Sequence, residues 1–129
     1  MVLWRRNGQG IYITARHFLG GFDTFLFALV AFVVVDYITG VAYAFVEKNV
    51  SSEIGRKGIA KKVFIFLLVG LANILDITIL DGQCVLRVAV ISFYMANEGI
   101  SILENAARLG LPVPEKLKST LRQLREGKN

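Results

Sequence analysis

The chain has 129 residues, 54% of them apolar, with a mean hydropathy of +0.54 and a formal charge of +5. That length suggests one domain. Its single cysteine, Cys84, and single histidine, His17, exclude an intramolecular disulfide and any Cys/His metal or catalytic cluster.

Residues 1–23 read as a basic leader punctuated by glycine. Ile11-Tyr12-Ile13 and Phe18-Leu19 are apolar, but Arg16 and His17 break the run, so the leader is too interrupted to span a bilayer. It is expected either to lie at the membrane interface or to be disordered. Asn7-Gly8-Gln9-Gly10 follows Arg5-Arg6 where the apolar core of a signal peptide should stand. Insertion through an uncleaved first span is therefore expected.

Thr24–Val46 is the first expected span. As a helix it would measure about 35 Å, enough to cross a hydrocarbon core of about 30 Å with some tilt. Its Val33-Val34-Val35 run would favour a strand in water, but in lipid the backbone must satisfy its own hydrogen bonds, which selects helix. A polar loop is expected over 47–58. The second span is expected over about 59–80, and Asp81-Gly82 reads as a tight turn. The third span covers about 85–103, with its helix continuing toward Leu109. Gly110 suits a helix C-terminus and Pro112 a stop. Pro114 suits the first turn of a last helix, on which Leu117, Leu121 and Leu124 share one face within a basic tail, 110–129.

A soluble bundle of three buried helices would need polar outer faces, which Phe25–Val35 and Val63–Leu75 lack. The expected fold is therefore all-α: an integral membrane protein with about three transmembrane helices, short loops and a basic amphipathic C-terminal helix. Basic residues border the apolar blocks, which points to membrane lipids rather than nucleic acid as partner. Lys57, Lys61, Lys62, Lys116, Lys118, Arg122 and Arg125 form this lipid-facing set. The first loop with the adjoining Lys61 and Lys62, and the tail with Arg108, carry eleven Lys and Arg; the other side receives Arg5, Arg6, Arg16 and Arg87. The loop and the C-terminus are accordingly expected in the cytoplasm.

A carboxylate at mid-span costs about 2.5–3.5 kcal/mol on insertion scales, so the few polar groups in the spans need partners or water. Asp36, Thr39, Gly40 and Tyr43 share one face of the first span. Asn73 and Asp76 lie three apart on the second. Arg87, Tyr94, Glu98, Ser101 and Asn105 form a stripe on the third, with Asn97 beside it. These stripes can meet in a homo-oligomer bordering water, or inside a static bundle with Arg87 paired to Asp76 or Asp81. Gly40, Gly70 and Gly99 suit close helix approach. No phosphate loop, nucleophile elbow or metal-ligand spacing is present, so neither cofactor nor catalysis is expected.

Four motifs occur in order: Asp36-Tyr37-Ile38-Thr39-Gly40, then residues 51–62 (SSEIGRKGIAKK), then residues 97–105 (NEGISILEN), then residues 110–117 (GLPVPEKL). With them the chain, from about Phe18 onward, resembles the phage holin family of toxin-secretion and phage-lysis holins from Gram-positive bacteria and their phages. The leader departs from that pattern. The resemblance implies a protein that oligomerises in the host's bacterial cytoplasmic membrane and opens lesions at a set time. Endolysin, or a toxin, then crosses as cargo without a required direct contact. The family has no catalytic residues to carry over. An antiholin or regulatory subunit, a small ion channel or transporter, and a membrane anchor for a partner remain the competing functions.

Overall fold

A computed structural model describes residues 9–49 and 51–127. Arg5, Arg6 and Lys128, which entered the orientation count, lie outside the described residues. The described chain is helical, with α1 Gln9–Phe18, α2 Thr24–Val46, α3 Ser52–Thr78, α4 Val85–Arg108 and α5 Glu115–Glu126. Three of these, Thr24–Val46, Gly55–Thr78 and Val85–Arg108, are long and apolar enough to cross a membrane.

Each helix ends where local chemistry requires it. Gly20 and Gly21 adopt left-handed φ values of 86° and 99° and turn the chain out of α1. Asp23 then caps α2, its side chain accepting the Leu26 N–H at 2.8 Å. At the other end of α2 the Asn49 N–H reaches back to the Ala44 carbonyl across Lys48, which takes φ 55°. Helix α3 begins six residues before the end of the expected polar loop. Glu53, Arg56 and Lys57 are good helix formers, so their polarity marks water around the first turns of the helix rather than a break in it. Asp81 and Gly82, with φ 57° and 82°, make the tight turn into α4. Gly110, at φ 90°, ends α4, and the Leu111 N–H bonds to the Ala106 carbonyl.

Helix α4 organises the bundle. It packs against α2, α3 and α5, whereas α2 and α3 meet each other only slightly. The buried apolar layer comes from Leu26, Leu29 and Val33 on α2, Ile65 and Val69 on α3, and Ile91 on α4. Large apolar side chains also cover the outside: Phe27, Val34, Ile38 and Phe45 on α2, and Phe64 and Leu71 on α3, are exposed. A helix apolar on both its inner and outer faces is stable only where the surroundings are apolar too. In lipid this outer surface is solvated by acyl chains.

Candidate functional site: two polar layers around an apolar layer

The three long helices carry their polar groups in two layers, one on each side of the apolar core. The face of α3 shows how the sequence achieves this. Lys62, Ile65, Val69, Asn73 and Asp76 are spaced by three or four residues and so share one helical stripe. Its ends are polar and its middle is apolar. Leu26, Leu29, Val33 and Asp36 repeat the pattern on α2, and Arg87, Ile91 and Glu98 on α4.

The first layer lies toward the α2–α3 loop: Lys62 stands seven residues into the apolar part of α3 and Asn105 three residues before the end of α4. The Lys62 ammonium donates to Asp36 Oδ2 at 2.7 Å and to Glu98 Oε1 at 2.9 Å, tying α3 to both α2 and α4. Asn105 donates to Asp36 Oδ1 at 3.4 Å and to the Thr39 hydroxyl at 2.9 Å. That hydroxyl in turn donates to the carbonyls of Val35 and Asp36. The layer therefore holds two carboxylates for one ammonium. Asp36, Glu98 and Asn105 are all buried. A cleft of about 610 Å³ opens between α2 and α3 and reaches this layer, with Tyr37, Gly40, Arg56 and Ser101 among its walls. Lys62, grouped by sequence with the lipid-facing cations, instead points into the bundle. Its position on the inward stripe puts it opposite two buried carboxylates, and their attraction outweighs hydration at the surface.

The second layer closes the opposite end. Arg87, 3% exposed, donates from Nη1 and Nη2 to the two oxygens of Asp23, from Nε to the Leu19 carbonyl at 2.6 Å, and from Nη2 to the Gly21 carbonyl at 2.9 Å. Its partner is thus Asp23, not Asp76 or Asp81. Asp76, 1% exposed, serves a different element, since its two oxygens accept the Leu86 and Arg87 N–H groups at 2.9 Å each. Those are the first-turn donors of α4, and Cys84 at the N-cap makes no side-chain cap bond. A carboxylate from α3 therefore caps α4, where the helix dipole favours negative charge. Asn73 does the converse for α1, donating to the carbonyls of Phe18 and His17. Among the described residues no buried side-chain nitrogen or oxygen is left without a partner.

The Arg87 guanidinium hydrogen-bonded to Asp23 holds that carboxyl below the ordinary value of 3.8, against the opposing effect of partial burial. A depressed folded value means the pairing adds stability above pH 3.8 that is lost as pH falls through the folded value. Asp23→Asn keeps a capping side chain for α2 but removes the charge. We expect it to melt below the parent protein at pH 7, with the gap closing in acid. Because Asp23 is half-exposed, the gap should be small.

The remaining residues singled out from the sequence divide between packing and the cleft. Tyr94 packs on the apolar core and meets the Phe93 ring edge-on at 5.0 Å. The Arg108 guanidinium lies 5.5 Å above the Tyr43 ring. Asn97 is half-buried, Ser101 lines the cleft, and Gly40 has ordinary contact with Asn105. The other two glycines are tightly occupied. A Cβ on Gly70 would overlap the Phe18 ring, and a Cβ on Gly99 would sit 3.0 Å from both Phe32 and Leu121. Gly70→Leu should therefore expel Phe18 and release α1, costing about 1–3 kcal/mol. Faster tryptic cleavage after Arg16 in the variant is the measurement. Lys57, Lys61, Lys116 and Arg122 are exposed, while Lys118 and Arg125 are half-buried.

Asp23 was not singled out from sequence, and Lys62 was assigned to the lipid-facing cations rather than to this layer. Both left a trace: Asp23 directly precedes the first apolar run, where N-caps occur, and Lys62 stands in register with Asn73 and Asp76.

The family model described as "Bacteriophage holin family" matches residues 13–126. A protein of Clostridium perfringens, described as an uncharacterized 14.9 kDa protein in the nagH 3′ region, is 44% identical over 109 residues, covering 84% of this chain and 83% of that one. The uncharacterized Lmo0128 of Listeria monocytogenes is 46% identical over 105 residues, 81% of this chain and 74% of its own length. A protein of Bacillus phage phi105 named "probable holin" is 38% identical over 107 residues, 83% of this chain and 78% of its own length. No solved structure matches.

Proposed function

The chain belongs to the bacteriophage holin family and is a multi-pass membrane protein, and from that premise we propose that it is a holin acting in the bacterial cytoplasmic membrane. Copies accumulate in a closed form, assemble, and open lesions through which endolysin, or a toxin, leaves the cytoplasm. The observation that carries this reading is the layered core. Charge buried within the spans is costly unless paired. Here it is paired across three helices, and the apolar layer of Leu26, Leu29, Val33, Ile65, Val69 and Ile91 separates it from the Arg87 layer. A monomer built this way is sealed. When helices part during assembly, the same polar groups become available to border water, and the apolar outer faces remain toward lipid.

Moving one charge across the membrane field is worth about 2.3 kcal/mol per 100 mV. Asp36, Lys62 and Glu98 would thus make the closed form sensitive to membrane potential, and its collapse would favour opening. Asp36→Asn should change the lysis delay and its response to an uncoupler; an unaltered delay and response would count against this gating.

The proposed orientation puts the 47–51 loop and the tail in the cytoplasm and the α3–α4 turn outside. Cys84 in that turn is exposed, so a membrane-impermeant thiol reagent applied to intact cells should label it. Failure to label until cells are broken would invert the topology.

Inducible expression beside a cytosolic endolysin tests the function. The proposal expects growth to continue, then stop abruptly with depolarisation and lysis. Unaffected growth and retained endolysin would refute it, and delayed lysis by another holin would identify an antiholin instead.

A further inference from the structure

Helix α5 is attached to the molecule in an unusual way. Among the described residues its backbone packs along α4 alone, with Phe32 of α2 beside the contact, yet none of its own residues is buried. Leu121 makes a close contact with α4. It lies against Gly99, where a Cβ would come within 3.0 Å of it, so the missing side chain of Gly99 forms the seat. Leu117 and Leu124, on the same face of α5, stay 45% and 41% exposed. Since Gly99 stands nine residues before the end of α4, α5 must double back along α4 to reach it.

The connector, residues 109–114, decides what else α5 can do. Its first part is fixed to α4, with Leu109 and Leu111 N–H groups bonded to the carbonyls of Asn105 and Ala106. Beyond it, Pro112 and Pro114 lack N–H groups and bias Leu111 and Val113 toward extended backbone. Four extended residues reach about 12 Å at about 3.1 Å each. Packed helices stand about 8–10 Å apart. The connector is therefore long enough to deliver α5 to the α4 of an adjacent copy as well as to its own.

We propose that α5 exchanges between copies: the Gly99 seat on one chain receives Leu121 of a second copy of this chain, and this contact joins copies in the membrane. The inference rests on the oligomerising holin proposed above and names the surface through which it assembles. Each chain presents one seat and one α5, so the exchange either closes reciprocally between two copies or runs head to tail into rings or open arrays. Contacts are the same in either arrangement. The balance is set by concentration, because the connector holds α5 near its own seat at a fixed effective concentration, whereas the supply of neighbouring seats rises with the number of copies. Crowding of copies in the membrane then shifts α5 from its own chain to a neighbour, which supplies a threshold without a separate signal.

The test uses two differently tagged full-length chains, both Cys84→Ser, one also Gly99→Cys and the other Leu121→Cys, co-expressed and exposed to an oxidant. A third chain carrying both added cysteines establishes that the pair can bridge. The expected result is a disulfide-linked band containing both tags. While pairing is sparse its fraction should about double with each doubling of expression, by mass action, whereas an internal bridge is independent of expression. In parallel, a photoreactive residue replacing Leu121 in one tagged chain, with Gly99 intact, should form adducts with the other. Bridging and adducts confined to single chains, at expression levels that permit lysis with endolysin, would overturn the exchange and leave the holin reading standing. Loss of lysis itself in the parent chain would instead remove that reading.

Discussion

Lys62→Met should destabilise the bundle by about 3–5 kcal/mol, the usual cost of leaving a buried charge without its partner. Lys62 is the only cation bonded to Asp36 and Glu98 among the described residues, and both carboxylates accept from it. Removing it leaves two carboxylates facing one another in a medium of low dielectric. Thermal unfolding in detergent micelles gives the size of the loss, and cells expressing the variant should lyse earlier than the parent because the closed form is weakened. The triple variant Lys62→Met, Asp36→Asn, Glu98→Gln should recover most of the melting temperature, since apolar and neutral replacements of a whole buried charge cluster are often tolerated. An unchanged melting temperature in the single variant would show that the ammonium is hydrated rather than held between the helices.

Arg87→Met should cost about 3 kcal/mol, taking charge-assisted hydrogen bonds at about 1.5–3 kcal/mol each and allowing for their overlap. One guanidinium holds Asp23 and the carbonyls of Leu19 and Gly21, so its loss frees the turn between α1 and α2 from α4. Asp23 is half-exposed and can hydrate, but the interior face of that turn loses its donors. Arg87→Lys should recover only part of the loss, since an ammonium cannot reproduce the planar fork that meets both Asp23 oxygens. Full recovery by lysine would mean that charge alone matters here. Amide hydrogen exchange should locate the damage: Gly20, Gly21 and the first turn of α2 lose protection, while the Asp36–Lys62–Glu98 layer keeps it.

The long helices were legible because their residues allow little else. An apolar run such as Phe25–Val35 can be buried in water only inside a much larger protein, and in lipid its length and hydrogen-bonding needs select a spanning helix. The polar residues were legible as exceptions to those runs, and Asp36, Thr39 and Asn105 do converge. What stayed hidden depends on tertiary contact. Lys62 follows Lys61 and shares its charge, so its opposite direction is visible only from the stripe it shares with Asn73 and Asp76. Helix α1 is a ten-residue segment too short to be stable alone; the Phe18 ring on Gly70 and the Asn73 cap hold it. The leucine face of α5 was readable, but not what it covers, because an amphipathic pattern is the same over lipid, over a neighbour or over its own chain. The start of α3 was misplaced because polarity reports contact with water and not the backbone conformation.

On the proposed function, a sealed three-span bundle opens into a lesion wide enough for a folded protein. Purified full-length chain, reconstituted into anionic vesicles loaded with both a small dye and an endolysin-sized protein, tests it most directly. Release of both cargoes together, abruptly, above a threshold ratio of protein to lipid is the predicted result. Graded release of dye or ions with the protein retained at every ratio would contradict it and describe a narrow channel instead.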